Sequence, residues 1–218
     1  MSRPFYGFAV VFLIFLLQAC GTEEGYDPTS TVTPSGYFRM GNFISDSPTL
    51  NIALGNSLQA NLPYGISTAF SPVLPEIPLD LTVRYRQDDT VIPLLTNEPV
   101  NVGLNYDYTA LLAGSMFNPT ILKVQNPPLG QVASNRIELQ FAHLASKKAR
   151  PVLIALQQNA STLRQFSLSY LDVTSRIELL AGTYRVVATE IGTGNLLWES
   201  GEFSLTVGAR AMVVLADY

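Results

Sequence analysis

The sequence predicts an all-β chain built as two antiparallel sandwiches in tandem, and three observations lead there. Leu79 to Arg86 alternates, with Leu79, Leu81, Val83 and Tyr85 on one face and Asp80, Thr82, Arg84 and Arg86 on the other. Period two with β-branched and aromatic members marks a half-buried strand. No segment carries a helical face longer than about two turns. The two halves of the chain also look like copies of one unit.

The elements follow in order. Tyr37 to Asn42 and Asn51 to Leu54 are short apolar stretches between turn formers. After Leu79 to Arg86, Asp88-Asp89 makes a turn, Val91 to Leu95 returns, and Tyr106 to Leu112 closes the first block. In the second half, Arg136 to Leu144, Val152 to Leu156, Ser167 to Tyr170, Arg176 to Leu180, Tyr184 to Glu190, Asn195 to Glu199 and Ala211 to Leu215 read as strands. Gly192-Thr193-Gly194-Asn195 is a hairpin signal, because glycine takes positive φ without strain. Leu153 to Arg164 is the best candidate for a helix.

Asn42 and His143 hold corresponding places, 101 residues apart. Leu50-Asn51-Ile52 matches Val152-Leu153-Ile154, Leu79 to Val83 matches Gly182 to Val186, and Asn105 to Ala113 matches Gly208 to Ala216. Between the copies, Asn118-Pro119, Asn126-Pro127-Pro128 and Gly130 favour extended connecting chain. The expected boundaries are therefore 37–115 for the first repeat, 116–134 for a linker and 135–218 for the second repeat. A unit of roughly 80 to 100 residues with about seven short strands buries its apolar positions by stacking two sheets, as immunoglobulin-like domains do. One continuous, larger sandwich is the alternative.

Ahead of the strands, Arg3 precedes an apolar run from Phe5 to Leu17. That run is too short for a membrane-crossing helix, which needs roughly 20 apolar residues, and suits the core of an export signal. Leu17-Gln18-Ala19-Cys20 follows, and Cys20 is the chain's only cysteine. This tetrapeptide resembles the lipobox of bacterial lipoproteins. Leu17 matches the apolar recognition position and Ala19 the small residue at the cleavage point; Gln18 is bulkier than the usual occupant. The resemblance implies a signal peptide over 1–19 and a Cys20 that is acylated as the new amino terminus. Several acyl chains together hold a membrane stably, since each buried CH₂ contributes about 0.8 kcal/mol. An ordinary secretory signal or an uncleaved anchor is the alternative. Gly21, where aspartate resembles an inner-membrane retention signal, favours the outer membrane of the bacterial envelope. Residues 20–36 are rich in Thr, Ser, Pro and Gly and read as a flexible tether.

Loss of residues 1–19 would remove one of the 13 basic residues, Arg3, leaving 12 against 17 acidic ones, a net charge of −5. That balance excludes nucleic acid as an expected partner, because phosphate binding draws on basic patches.

Further residues resemble a bacterial family of unknown function found as tandem sandwich repeats in exported surface proteins. Arg39-Met40-Gly41-Asn42, Ser45-Asp46-Ser47-Pro48 and Leu50-Asn51-Ile52 match its opening, in which a strand, a His or Asn, a Ser-Pro-Asp-Ala-Pro-like turn and an apolar-Asp-apolar step follow one another. Asp46 and Pro48 match the turn; Ser45 and Asn51 depart from it. Leu62-Pro63-Tyr64-Gly65, Ala181-Gly182-Thr183-Tyr184 and Asn105-Tyr106-Asp107-Tyr108-Thr109 resemble later steps. The second unit keeps His143, Ala145 and Ser146 and replaces the turn with Lys147-Lys148-Ala149-Arg150-Pro151. The resemblance implies an extracytoplasmic β-sandwich with Asn42, Asp46, Pro48 and His143 as structural turn residues, and it brings no catalytic residues.

His143 is the only histidine and no Gly-x-Ser-x-Gly elbow exists, so hydrogen bonding in a turn is expected of it rather than catalysis. Asp88-Asp89 lacks an Asp-x-Asp-x-Asp-Gly loop and reads as a solvated turn. Lys147-Lys148-Ala149-Arg150 is the one basic cluster, expected as a charged turn at a sheet edge. Tyr64, Phe70, Tyr85, Tyr106, Tyr108, Tyr170, Tyr184 and Trp198 are expected mostly in the core. No metal, cofactor or catalysis is expected. The sequence points to a lipid-anchored envelope protein with a structural or protein-contact role; a surface glycan- or peptide-binding module is the alternative.

Overall fold

A computed structural model describes residues 35–56, 58–127, 135–146 and 150–217. Leu17, Ala19, Cys20 and the tether up to residue 34 lie outside the described residues, as do 128–134 of the expected linker and Lys147 to Ala149.

The described chain is all-β. The first unit comprises β1 (Gly36–Asn42), β2 (Leu50–Leu54), β3 (Leu58–Leu62), β4 (Ser71–Val73), β5 (Leu79–Gln87), β6 (Thr90–Val100), β7 (Asp107–Ser115) and β8 (Asn118–Asn126). It forms two sheets, in the orders β4-β1-β7-β8 and β3-β2-β5-β6. The second comprises β9 (Arg136–His143), β10 (Val152–Gln158), β11 (Ser161–Leu168), β12 (Ile177–Leu180), β13 (Gly182–Glu190), β14 (Leu196–Glu199), β15 (Phe203–Leu205) and β16 (Arg210–Leu215). Its sheets are β12-β9-β16 and β11-β10-β13-β14, with β15 also paired to β13.

Two expectations are corrected. Residues 116–134 are not wholly linker: β8 pairs with β7 along its full length, from Asp107 opposite Asn126 to Ser115 opposite Asn118. Pro119 is tolerated because β8 is an edge strand. Leu153 to Arg164 is a hairpin of β10 and β11 rather than a helix. Val152, Ile154 and Leu156 are all fully or almost fully buried, and that alternation fits a strand.

The units close identically. In the first, β1 pairs in parallel with β7, Arg39 opposite Thr109; in the second, β9 pairs in parallel with β16, Gln140 opposite Met212. A threonine clamps the first strand in both. The Thr68 N–H donates to the Met40 carbonyl while its Oγ1 accepts from the Met40 N–H; Thr174 does the same with Phe141. Before the closing strand the backbone takes positive φ at Asn105 (62°) and Gly208 (78°), residue types that tolerate it.

Three apolar cores separate four sheet layers. Phe38, Met40, Leu50, Leu81 and Leu112 belong to the first unit's core; Ile137, Phe141, Ile154, Tyr184 and Val213 belong to the second's. The third core lies between the units: Phe43, Leu111, Ala113 and Val124 meet Ala142, Leu144, Met212, Val214 and Ala216. The sandwiches are thus packed back to back. Strands β7 and β16 are buried on both faces, Ala110 and Leu112 facing one core and Leu111 and Ala113 the other.

One end of this shared interface is ionic. Arg176 Nη2 lies 2.8 Å from Asp107 Oδ2, joining the units, and Arg176 Nη1 and Arg210 Nε each lie 3.4 Å from Glu138 Oε2. Arg39 donates from Nε to Thr109 Oγ1 at 2.9 Å, and its guanidinium sits 4.6 Å from the Phe70 ring centroid. Burial pulls Arg39 down to about 10, Asp107 opposes that shift and Arg176 adds to it; the group stays charged at neutral pH. Asn126 and Gln140 exchange amide hydrogen bonds across the same seam, at 3.3 and 3.2 Å.

Two outcomes are expected. Asp107→Ala leaves buried Arg39 and half-buried Arg176 without their shared counter-charge, and should cost about 3 kcal/mol of unfolding free energy in urea titration. Burial, with Glu98 adding, pushes the Tyr108 hydroxyl up to about 12. Burial raises Tyr170 and Tyr184 in the same direction, with Asp217 adding at Tyr170. A group whose folded pKa is raised stabilises below its unfolded value, ~10 for tyrosine, and loses that contribution as pH rises through the folded value. Between pH 10 and about 12 the wild-type urea midpoint should therefore fall relative to that of Tyr108→Phe, a comparison in which the opposing effect of Arg39 cancels.

Candidate functional site

Strands β1 and β7 run parallel, as do β9 and β16. Their starts meet at the ionic seam, through Asp107, Glu138 and Arg210. Their ends meet in the shared core, through Phe43, Leu144 and Ala216. The molecule therefore has an entry pole, where these strands begin, and an exit pole, where they finish.

At the exit pole the sequence-predicted turn residues hold one another. Asn42 is fully buried; its Oδ1 accepts the Ile44 N–H at 3.1 Å, and its Nδ2 donates to Ser47 Oγ at 2.9 Å and the Leu62 carbonyl at 3.1 Å. This fixes the turn bearing Asp46 and Pro48. Asp46 Oδ1 in turn accepts the Met116 N–H at 3.1 Å, which ties the turn to the β7–β8 hairpin. Gly114 in that hairpin has φ of 85°, and a Cβ there would sit 2.5 Å from the Asn118 carbonyl oxygen, so glycine is required.

The hairpin tip presents Phe117, which is 97% exposed. Beside it lies an open depression of about 360 Å³, lined by Asp46, Pro48, Tyr85, Arg86, Gln87 and Met116. Two aromatic rings, a carboxylate, a guanidinium and an amide converge there. Such a surface offers apolar contact with a few directional hydrogen bonds, the pattern of a recognition site. Among the described residues no group of three or more His, Cys, Asp or Glu could hold a metal ion.

A second depression, of about 440 Å³, lies on the outer face of β2, β3 and β5, with Asn51, Gln59, Asn61, Thr82 and Arg84 around Ala53. It is an amide-rich sheet face without an aromatic anchor.

His143 makes in the second unit the brace that Asn42 makes in the first. It is fully buried, and its Nδ1 lies 3.3 Å from the Ala145 N–H while Nε2 lies 3.2 Å from the Arg150 carbonyl. A backbone N–H only donates and a carbonyl only accepts, so Nδ1 is the acceptor and Nε2 carries the proton. The Tyr170 ring meets it edge-on at 6.3 Å between centroids. Arg150 pairs with Glu190 at 2.9 Å. Asp88 and Asp89 form an exposed turn, Asp88 with φ of 52°. Tyr108 and Tyr184 lie in the cores, with Tyr85 and Trp198 packed against them.

Phe117 escaped the sequence reading. The signal was present as Met116-Phe117, an apolar pair set between Gly114-Ser115 and Asn118-Pro119.

No protein-family model and no curated protein matches this chain. Among solved structures it is similar to one described as the Bacillus anthracis TIE protein, with a TM-score of 0.29 and 11% identity over 84% of this chain and 34% of that chain. The chain spans about a third of that structure's length, and a likeness this faint assigns neither activity nor ligand.

Asp46→Ala is expected to loosen the hairpin without unfolding the protein. Hydrogen exchange at the Met116 amide should accelerate by about tenfold or more, the loss of one net hydrogen bond, while the unfolding free energy from urea titration falls by no more than about 1 kcal/mol.

Proposed function

We propose that this chain is a lipid-anchored protein of the bacterial envelope, held through Cys20 and working by contact rather than catalysis, with Phe117 as the contact residue. One observation carries the contact reading: a phenylalanine 97% exposed on a hairpin that Asn42, Asp46 and Gly114 hold in place. Sequestering such a ring from water contributes about 1.5–3 kcal/mol, so leaving it exposed favours association with a partner surface. The lipobox-like Leu17-Gln18-Ala19-Cys20 supports the anchor. Motif order resembling exported surface repeats supports the extracytoplasmic setting, and Gly21 after Cys20 supports the outer membrane.

A second reading shares the same site. Tyr85, Asp46, Arg86 and Gln87 flank Phe117, and an aromatic face beside polar groups also suits a surface glycan or a peptide. The protein partner is preferred because the Phe117 ring, although it borders the depression, is 97% exposed and free to enter another surface.

Photo-crosslinking from position 117 in intact envelopes tests the contact. A discrete adduct of protein mass is expected, absent when the photoreactive group is moved to exposed Asp89. Bare monomer from both positions would reject the protein-contact role; glycan-array binding abolished by Phe117→Ser would replace it with the second reading. Cys20→Ser should shift the protein from the detergent to the aqueous phase; unchanged partitioning would reject the anchor.

A further inference from the structure

Five exposed aliphatic side chains stand at the entry pole, and they come from both units. Leu104 and Val207 occupy the same place, one residue before Asn105 and Gly208, in the turns that start β7 and β16; they are 44% and 57% exposed. Leu74 and Ile77, 54% and 50% exposed, flank Glu76. The Glu76 N–H donates to the Val102 carbonyl, and Glu76 Oε1 accepts the Leu104 N–H at 3.1 Å, so this loop and the Leu104 turn are one surface. Leu180, 52% exposed, ends β12 opposite Arg136, whose carbonyl accepts the Gly208 N–H beside Val207.

The chain enters at the same pole. The Asn105 N–H donates to the Ser35 carbonyl at 2.9 Å, placing Ser35 beside Leu104. Cys20 precedes Ser35 by 15 residues, a covalent reach of at most about 50 Å.

We propose that the entry pole, through Leu74, Ile77, Leu104, Leu180 and Val207, rests on the lipid bilayer in which acylated Cys20 is anchored. The inference builds on the anchor of the proposed function. A tether of this reach keeps the pole at high effective concentration next to the bilayer, so weak apolar partitioning suffices to hold it there. All five side chains are aliphatic, the chemistry of an acyl-chain boundary, which offers no directional partners. The mature chain's negative balance removes attraction to anionic headgroups as the force, leaving apolar contact. Resting on this pole turns Phe117, at the exit pole, away from the membrane.

The test uses the native lipidated full chain in phosphatidylethanolamine vesicles, where the acyl thioether occupies the only natural thiol. Environment-sensitive probes are carried singly by Leu104→Cys, Val207→Cys and Phe117→Cys, with spin-labelled lipid as quencher. Quenching several-fold stronger at 104 and 207 than at 117, with blue-shifted emission, is expected. Lipidated, vesicle-bound protein with equal quenching at all three positions would overturn the pole alone. Protein that stays off the vesicles with an unmodified amino terminus would overturn the anchor, and the pole with it. Val207→Cys keeps the outcome readable should Leu104→Cys misfold.

Discussion

Strands buried on both faces govern this molecule. A strand normally divides its side chains between core and solvent, and its sheet needs one partner layer. Here β7 sends Tyr108, Ala110 and Leu112 to one core and Leu111 and Ala113 to another; β16 does the same with Ala211, Val213 and Leu215 against Met212 and Val214. Neither sandwich satisfies such a strand alone. The second apolar face needs another sheet, and the other copy of the unit supplies it. Apolar packing is tolerant of sliding, so it does not by itself fix how the copies sit. The ionic seam does. Arg176 reaches Asp107 in the other unit, and Asn126 and Gln140 exchange hydrogen bonds that a shifted register would break. Partly buried ion pairs add little net stability, but their unmet alternatives are costly. They act as a key for the stack.

The repeat also separates what a fold demands from what it merely permits. Asn42 and His143 differ in size and chemistry, yet each sets an acceptor atom on the N–H two residues ahead and a donor on a distant carbonyl. The first strand of each unit ends there, and the chain must leave the sheet with its backbone groups satisfied inside the protein. Any side chain with one acceptor and one donor at that spacing suffices. The Thr68 and Thr174 clamps are stricter, since one short side chain answers the same N–H whose residue's carbonyl it has just engaged through its backbone.

Most of the sheet content was legible because half-buried strands write their period into the sequence, as Leu79 to Arg86 does. The stacking was legible in principle. Thr109-Ala110-Leu111-Leu112-Ala113 and Ala211-Met212-Val213-Val214-Leu215-Ala216 do not alternate, and an unbroken apolar run in a strand means burial on both sides. Reading them simply as strands, without asking what the second face meets, gave sandwiches in series. β8 was hidden by Asn118-Pro119, which signals a turn locally and is tolerated only because the strand lies at an edge. Leu153 to Arg164 looked helical because bulky residues of two antiparallel strands happen to fall three and four apart. The turn residues were read from their order alone, and the link from Asp46 to Met116, spanning 70 residues, leaves no local signal in the sequence.

Stacking two copies with their strands aligned has a directional consequence that neither copy has alone. Each unit has its entry turns at one end and its strand-ending loops at the other. Had the second unit been inverted, Leu104 and Val207 would lie at opposite ends of the molecule, and no pole would be distinct. The aligned stack instead gathers the aliphatic turns of both units at the end where Ser35 enters, and leaves the β7–β8 hairpin with Phe117 at the other. Among the described residues, β8 pairs with β7 alone and builds that hairpin. Duplication thus supplies a doubled base, while β8 supplies a projecting tip. The exposed Phe117 tip therefore stands at the end of the stack away from the aliphatic base.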